Sequence, residues 1–174
     1  MTELPSLRET VDSHGLMAKK ALGQNFLLDQ NITDKIIRSS LAARGTEDFS
    51  QEDVFEIGPG PGGLTRAVLK ANPHSLTVVE MDERCIEIMR ELQTVYGEKL
   101  NIVNGDAMKF DFGQPSAQRK SVVSNLPYNI SVPLLIVFLK QMRQFNSLTL
   151  MFQKEVAERI LAEPDNKNYG RISV

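Results

Sequence analysis

Val54-Phe55-Glu56-Ile57-Gly58-Pro59-Gly60-Pro61-Gly62-Gly63-Leu64-Thr65-Arg66-Ala67-Val68-Leu69 decides the fold of this chain. Val54, Phe55 and Ile57 favour pleated backbone, so residues 54–57 read as a short strand. Glycine and proline end that strand, and Leu64, Ala67 and Val68 then recur at helical spacing. Strand, glycine turn and helix in this order open a nucleotide-binding βαβ unit. Its glycines let backbone approach a ligand, and the amides at the helix N-terminus face it. Gly58, Gly60 and Gly63 match the dinucleotide fingerprint, a weak signal by itself. No Gly-Lys-Ser/Thr follows, which excludes a phosphate-binding P-loop.

The same alternation extends outward. Residues 76–79, 100–103, 121–124 and 148–152 read as further strands, and residues 83–92, 132–139 and 153–161 as helices. Upstream, Asn31 reads as an N-cap, with Ile32, Ile36, Ile37 and Leu41 at helical spacing and Gly45 ending the helix. Five strands alternating with helices predict an α/β fold with a doubly wound, mostly parallel sheet. Residues 1–16 are polar, carry Pro5 and Gly15, and read as a loose leader. The expected division is a leader over 1–18 and one catalytic unit over 19–174. Residues 172–174 read as the start of another strand, so the sheet is expected to be truncated at Val174.

Open α/β sheets bind ligands beyond the carboxyl ends of their strands, so those ends hold the candidate residues. Glu80 lies 22 positions past Gly58, near the spacing at which an acid grips a ribose. Its plainer role is a strand-end carboxylate, and the adjoining Asp82 suits a helix cap. Asp106, after the third strand, can accept from an adenine amine while Ala107 and Met108 flank the ring; singly it is a common turn residue. The fourth strand delivers Asn125-Leu126-Pro127-Tyr128. The Asn125 amide oxygen and a backbone carbonyl suit the two hydrogens of an exocyclic amine, and Tyr128 offers a flat face for its ring. Pro127 fixes its own φ and biases Leu126 to extended backbone; the plain alternative is an ordinary turn. Gln24 and Asn25, before Phe26 and Leu27, are either a polar patch closing over a ligand or part of an amphipathic lead-in that packs Phe26 on the core.

Composition narrows the classes. At 174 residues, 41% apolar and 24% charged, the chain suits one soluble globular domain with a real core. Its longest apolar run, residues 132–139, is far too short to span a bilayer. The N-terminus lacks the basic-then-apolar pattern of a secretory signal. Cys85 is the only cysteine, which excludes an intrachain disulfide and fits a reducing, cytoplasmic setting. Two distant histidines and one cysteine make no metal-ligand set. The net charge of −2 leaves any nucleic-acid contact to a local basic face.

Taken together, GQNFL (23–27), EIGPGPGGLT (56–65), VVEMD (78–82), GDAM (105–108), NLPYNIS (125–131) and FQKEVAERI (152–160) resemble the small-subunit ribosomal RNA adenine dimethyltransferases of the kasugamycin-resistance type. The segments fall in that family's order and cover most of the chain from about residue 19. The resemblance implies a Rossmann-like class I S-adenosylmethionine-dependent methyltransferase. Its expected action is N6-dimethylation of two adjacent adenosines in a hairpin near the 3′ end of small-subunit ribosomal RNA, during ribosome biogenesis. Carried over by position, Gln24, Asn25 and Leu27 border the donor's methionine end, Gly58 and Gly60 form the close turn, Glu80 and Met81 meet the ribose, and Asp106 and Ala107 meet the adenine. Asn125, the Leu126 carbonyl, Pro127 and Tyr128 position the acceptor base, Asn125 also bordering the donor, and Phe152 covers the base's other face. The implied partner is the small ribosomal subunit, met by a monomer, with no metal and no membrane. That family continues past the equivalent of Val174 with more strands and a small helical domain. Three alternatives remain: a large-subunit RNA adenine methyltransferase of the antibiotic-resistance type, a non-catalytic RNA-binding assembly factor, and a nicotinamide-dependent oxidoreductase. The last gives Asn125 and Tyr128 no role.

Overall fold

A computed structural model describes residues 4–16, 26–114 and 116–174. In chain order the elements are α1 (Leu7–Ser13), α2 (Gln30–Ala42), β1 (Glu52–Ile57), α3 (Gly63–Lys70), β2 (Ser75–Glu80) and α4 (Glu83–Tyr96), then β3 (Leu100–Asn104), β4 (Arg119–Asn125), α5 (Ser131–Lys140), β5 (Phe145–Met151) and α6 (Lys154–Ile160). The strands form one sheet in the order β3-β2-β1-β4-β5, with all four pairings parallel. The order reverses after β1, and at that switch point the carboxyl ends of β1 and β4 leave a crevice.

Side chains alternate across the sheet and meet two different layers. Val54, Leu76, Val78, Leu100 and Val123 pack with Ile37, Val68, Ile88 and Met89, so residues of α1 to α4 cover one face. Ile57, Val79 and Val122 pack with Leu134 and Phe138 of α5 on the other. That second face is aromatic. Phe112 meets Phe55, Phe110, Phe138 and Phe145 with ring centroids 4.8 to 6.3 Å apart.

Several expectations are corrected. Residues 7–13 are a packed helix rather than part of a loose leader: Leu7, Val11 and Leu16 are buried. A capping box organises the helix, since Ser6 Oγ accepts from the Glu9 amide and the Glu9 carboxylate accepts from the Ser6 amide. Asp29, not Asn31, caps α2, its Oδ1 accepting the Asn31 amide at 2.9 Å. Residues 172–174 are not a strand. The Ser173 amide returns to the Gly170 carbonyl, and Ser173 Oγ donates to the Arg159 carbonyl, so local turn bonds replace a ladder. Helix α5 carries Pro133 in its first turn and leaves Ile136 and Leu139 about half exposed. Among the described residues, no helix is long and apolar enough to cross a membrane.

Candidate functional site

The glycine turn and the loop after β4 meet directly. Gly58 has φ +63°, and a Cβ there would lie 3.1 Å from Pro127 Cγ, so the left-handed backbone and the close approach both call for glycine. Behind this contact Ser124 bolts β4 to β1. Its hydroxyl donates to the Ile57 carbonyl at 2.8 Å and accepts from the Ile57 amide at 3.3 Å. The regular pairing of these strands ends at Phe55 and Val122, so the buried Ser124 hydroxyl extends it to the strand tips.

On one side of the contact opens a cleft of about 480 Å³. Glu80, Met81, Asp82, Asp106, Ala107 and Met108 line it, with Pro127 and Ile130 opposite. Glu80 is only 6% exposed. Its Oε1 accepts the Met81 and Asp82 amides at 2.7 and 2.9 Å, while its Oε2 is buried with no partner among the described residues. Burial pushes the Glu80 carboxyl above its ordinary pKa, against the pull of the Asp82 and Met81 amides and of the Gly60 amide in the glycine turn. An orphaned buried acceptor at a strand tip is suited to paired hydroxyls. Asp106 Oδ1 accepts the Met108 amide at 2.9 Å, which fixes the carboxylate beside the buried Ala107. Asp82 caps α4 by accepting from the Arg84 amide.

On the other side lies a recess lined by Phe26, Leu27, Glu56, Asn125, Leu126 and Tyr128. Leu126 is buried and anchors its loop, whereas Asn125 and Tyr128 are half-buried at the rim. Ser131 Oγ donates to the Tyr128 carbonyl and the Ile130 amide to the Pro127 carbonyl, turning the loop into α5. The chain at Phe26 and Leu27 crosses the glycine turn as a strap. The Leu27 carbonyl oxygen would lie 2.1 Å from a Cβ on Gly63, and the Phe26 ring 2.9 Å from one on Gly60. Phe152 is half-buried against the aromatic layer, and neither lining includes it. Gln24 and Asn25 lie outside the described residues.

Sequence reasoning passed over Glu56. It shares a face of β1 with Val54, which buries it under α3, and burial raises its pKa to about 8 against a hydrogen bond from Thr65. One of its oxygens, Oε2, has no partner among the described residues. The signal was present: an acid in an apolar strand one position before the residue that leads into a glycine turn. Cys85 is buried with its thiol pushed up to about 12, so it is no nucleophile. Among the described residues, no cluster of His, Cys, Asp and Glu could hold a metal ion.

An open parallel sheet with a nucleoside-sized cleft at its switch point, entered by a glycine turn and closed by an Asn-Leu-Pro-Tyr loop, defines the class: a Rossmann-like methyltransferase fold. Comparison with known proteins narrows this. Residues 15–174 match the family model for ribosomal RNA adenine dimethylase, and the chain belongs to that family. It is 45% identical over 174 residues to ribosomal RNA small subunit methyltransferase A of Jannaschia sp. (strain CCS1), covering 98% of this chain and 58% of the relative. The protein of the same name from Allorhizobium ampelinum is 49% identical over 176 residues, covering 98% and 62%. Among solved structures, a dimethyladenosine transferase from Plasmodium falciparum superposes with a TM-score of 0.69 at 33% identity, covering 83% of this chain and 49% of that one. The 23S ribosomal RNA methyltransferase ErmE, at 24% identity and TM-score 0.63 over 78% of this chain and 50% of its own, shares the fold. The chain thus spans little more than half the length of the curated relatives it matches.

Proposed function

We propose that the protein to which this chain belongs dimethylates the N6 amines of two adjacent adenosines near the 3′ end of small-subunit ribosomal RNA, with S-adenosylmethionine as donor. The observation that carries this is the meeting of Pro127 with Gly58, which sets the Asn-Leu-Pro-Tyr loop against the nucleoside cleft. The donor fits the residues present. Glu80 offers a buried, orphaned oxygen for ribose hydroxyls, and Asp106 an acceptor for the adenine amine with Ala107 and Met81 beside it. Gln24, Asn25 and Leu27 are assigned to the methionine end by the family resemblance, and Gly58 and Gly60 to the close turn. When bound, the donor supplies an electrophilic methyl group on a sulfonium centre.

What the chain does is hold the acceptor. An adenine amine is a poor nucleophile because its lone pair is delocalised into the ring. Accepting both its hydrogens, through Asn125 and the Leu126 carbonyl, draws the nitrogen toward tetrahedral geometry and stabilises the charge that develops on it. Pro127 stiffens that loop, Tyr128 stacks on the base, and Phe152 is proposed to cover the base's far face. No general base is needed. The second methylation gives up one of the two hydrogen bonds. The target base must lie in a loop or be flipped from its stack. We take the enzyme to be a monomer of the cytoplasm, where a lone thiol stays reduced, and its catalytic unit to include α1.

The test is methyl transfer by the full-length protein to small-subunit particles lacking the modification, beside Asn125→Ala. Loss of transfer with RNA binding retained supports the enzyme. Retained transfer overturns the loop's role, and transfer to large-subunit RNA alone replaces the substrate.

A further inference from the structure

Arg66 belongs to none of the roles above, yet it is 8% exposed in the first turn of α3, directly behind the glycine turn. Its Nη1 donates to the Pro5 carbonyl at 2.6 Å and its Nη2 to the buried Thr10 hydroxyl at 3.3 Å. Both acceptors belong to α1 or its lead-in. Its Nε is buried with no partner among the described residues. Burial holds the guanidinium below its ordinary pKa, outweighing Tyr96 and the Glu91 carboxylate, which favour the charge, whereas an apolar side chain would fill the space without that penalty. Packing alone is therefore a weak reason for an arginine here.

Two more ties join α1 to the cleft. A Cβ on Gly63 would meet Leu7 Cδ1 at 3.3 Å as well as the Leu27 carbonyl, so α1, the strap and the glycine turn converge on one residue. At the other lip, Arg84 Nη1 donates to the Gly15 carbonyl at 3.2 Å while its Nε and Nη2 grip the Asp82 carboxylate. The Asp82 amide is in turn one of the two held by Glu80. Helix α1 ends ahead of residue 15, where the family match begins.

We propose that α1 is a brace of the donor cleft and that Arg66 is its positioning residue. Docked through Arg66 and Leu7, α1 holds the glycine turn and the strap of Phe26 and Leu27 in the geometry that receives the donor. This rests on the donor reading above. Docking of α1 and binding of donor are then one coupled equilibrium, and the coupling is reciprocal.

Calorimetric titration with S-adenosylmethionine and amide hydrogen exchange, both on the full-length protein, test the brace. Donor slows exchange of the α1 amides about tenfold in the wild type. Arg66→Met weakens donor binding about tenfold and removes that slowing. Arg66→Lys, which keeps a donor for the Pro5 carbonyl, falls between. Phe49→Leu, a core substitution ahead of β1 at the opposite end of the sheet, lowers the melting temperature and leaves donor affinity intact. The brace is overturned by wild-type affinity in Arg66→Met, by α1 amides indifferent to donor, or by an equal affinity loss in Phe49→Leu. A wild type that binds no donor, while folded, overturns the donor reading itself and the brace with it.

Discussion

The two faces of the sheet solve the same burial problem with different means. One is covered by residues of four helices and is mostly aliphatic. The other has a single ten-residue helix, α5, and fills the remaining space with phenylalanine rings. A ring buries more area than an aliphatic side chain, so rings from the loop after β3 stand in for a missing helix. The faces also differ at the edge. β5 has no fully buried residue and α6 none, while the strands β1 and β2 are buried near the donor cleft. The cleft takes Glu80 from the face that carries Leu76 and Val78 and its apolar floor, Ile57, Val79 and Ala107, from the aromatic one. Gly58 and Ser124 hold the two together.

Phe112→Ala breaks that contrast most severely. Removing the ring that four others touch costs about 4 kcal/mol in denaturant unfolding and leaves the cleft residues in place. On the opposite side, Gly63→Ala forces the strap off the glycine turn. It costs about 3 kcal/mol and abolishes donor binding by calorimetry, because backbone rather than a flexible side chain blocks the new methyl. Glu80→Ala weakens the donor about a hundredfold, roughly 2.7 kcal/mol, and RNA binding much less. Equal losses in both would misplace the ribose site.

Glu56 sharpens the comparison through pH. The folded protein holds its proton up to about pH 8 and the unfolded chain releases it near 4.5. Folded protein therefore binds more protons in that window, and stability falls as pH rises through it. Glu56→Gln removes this slope, gaining about 3 kcal/mol over wild type at pH 8.5 relative to pH 5.5 in thermal melts. An unchanged slope would mean Glu56 ionises freely. The smallest expected effect is at the seam between the faces: Ser124→Ala costs about 1 kcal/mol, since the Ile57 carbonyl and amide lose one shared partner.

Much of this was legible in the chain because the signals are local. Alternation along β1, glycine after Ile57, and Leu64, Ala67 and Val68 at helical spacing need only neighbours in sequence, and each of the five strands predicted from such a run inside the sheet forms. The Asp82 cap was read correctly for the same reason. The capping box of Ser6 and Glu9 was equally local, yet the polar composition around it masked a helix whose apolar residues are few.

Local patterns fix the order of elements from α2 to α6, the parallel sheet and the chemistry offered at each strand end, because periodicity and turn residues act over a few positions. The tertiary structure alone decided which of those groups meet. It set Pro127 on Gly58, laid Leu27 across Gly63, turned Glu56 into a buried acid and gave Arg66 a helix to hold. Those outcomes depend on dielectric, steric and hydrogen-bond partners tens of residues away. No local pattern encodes them.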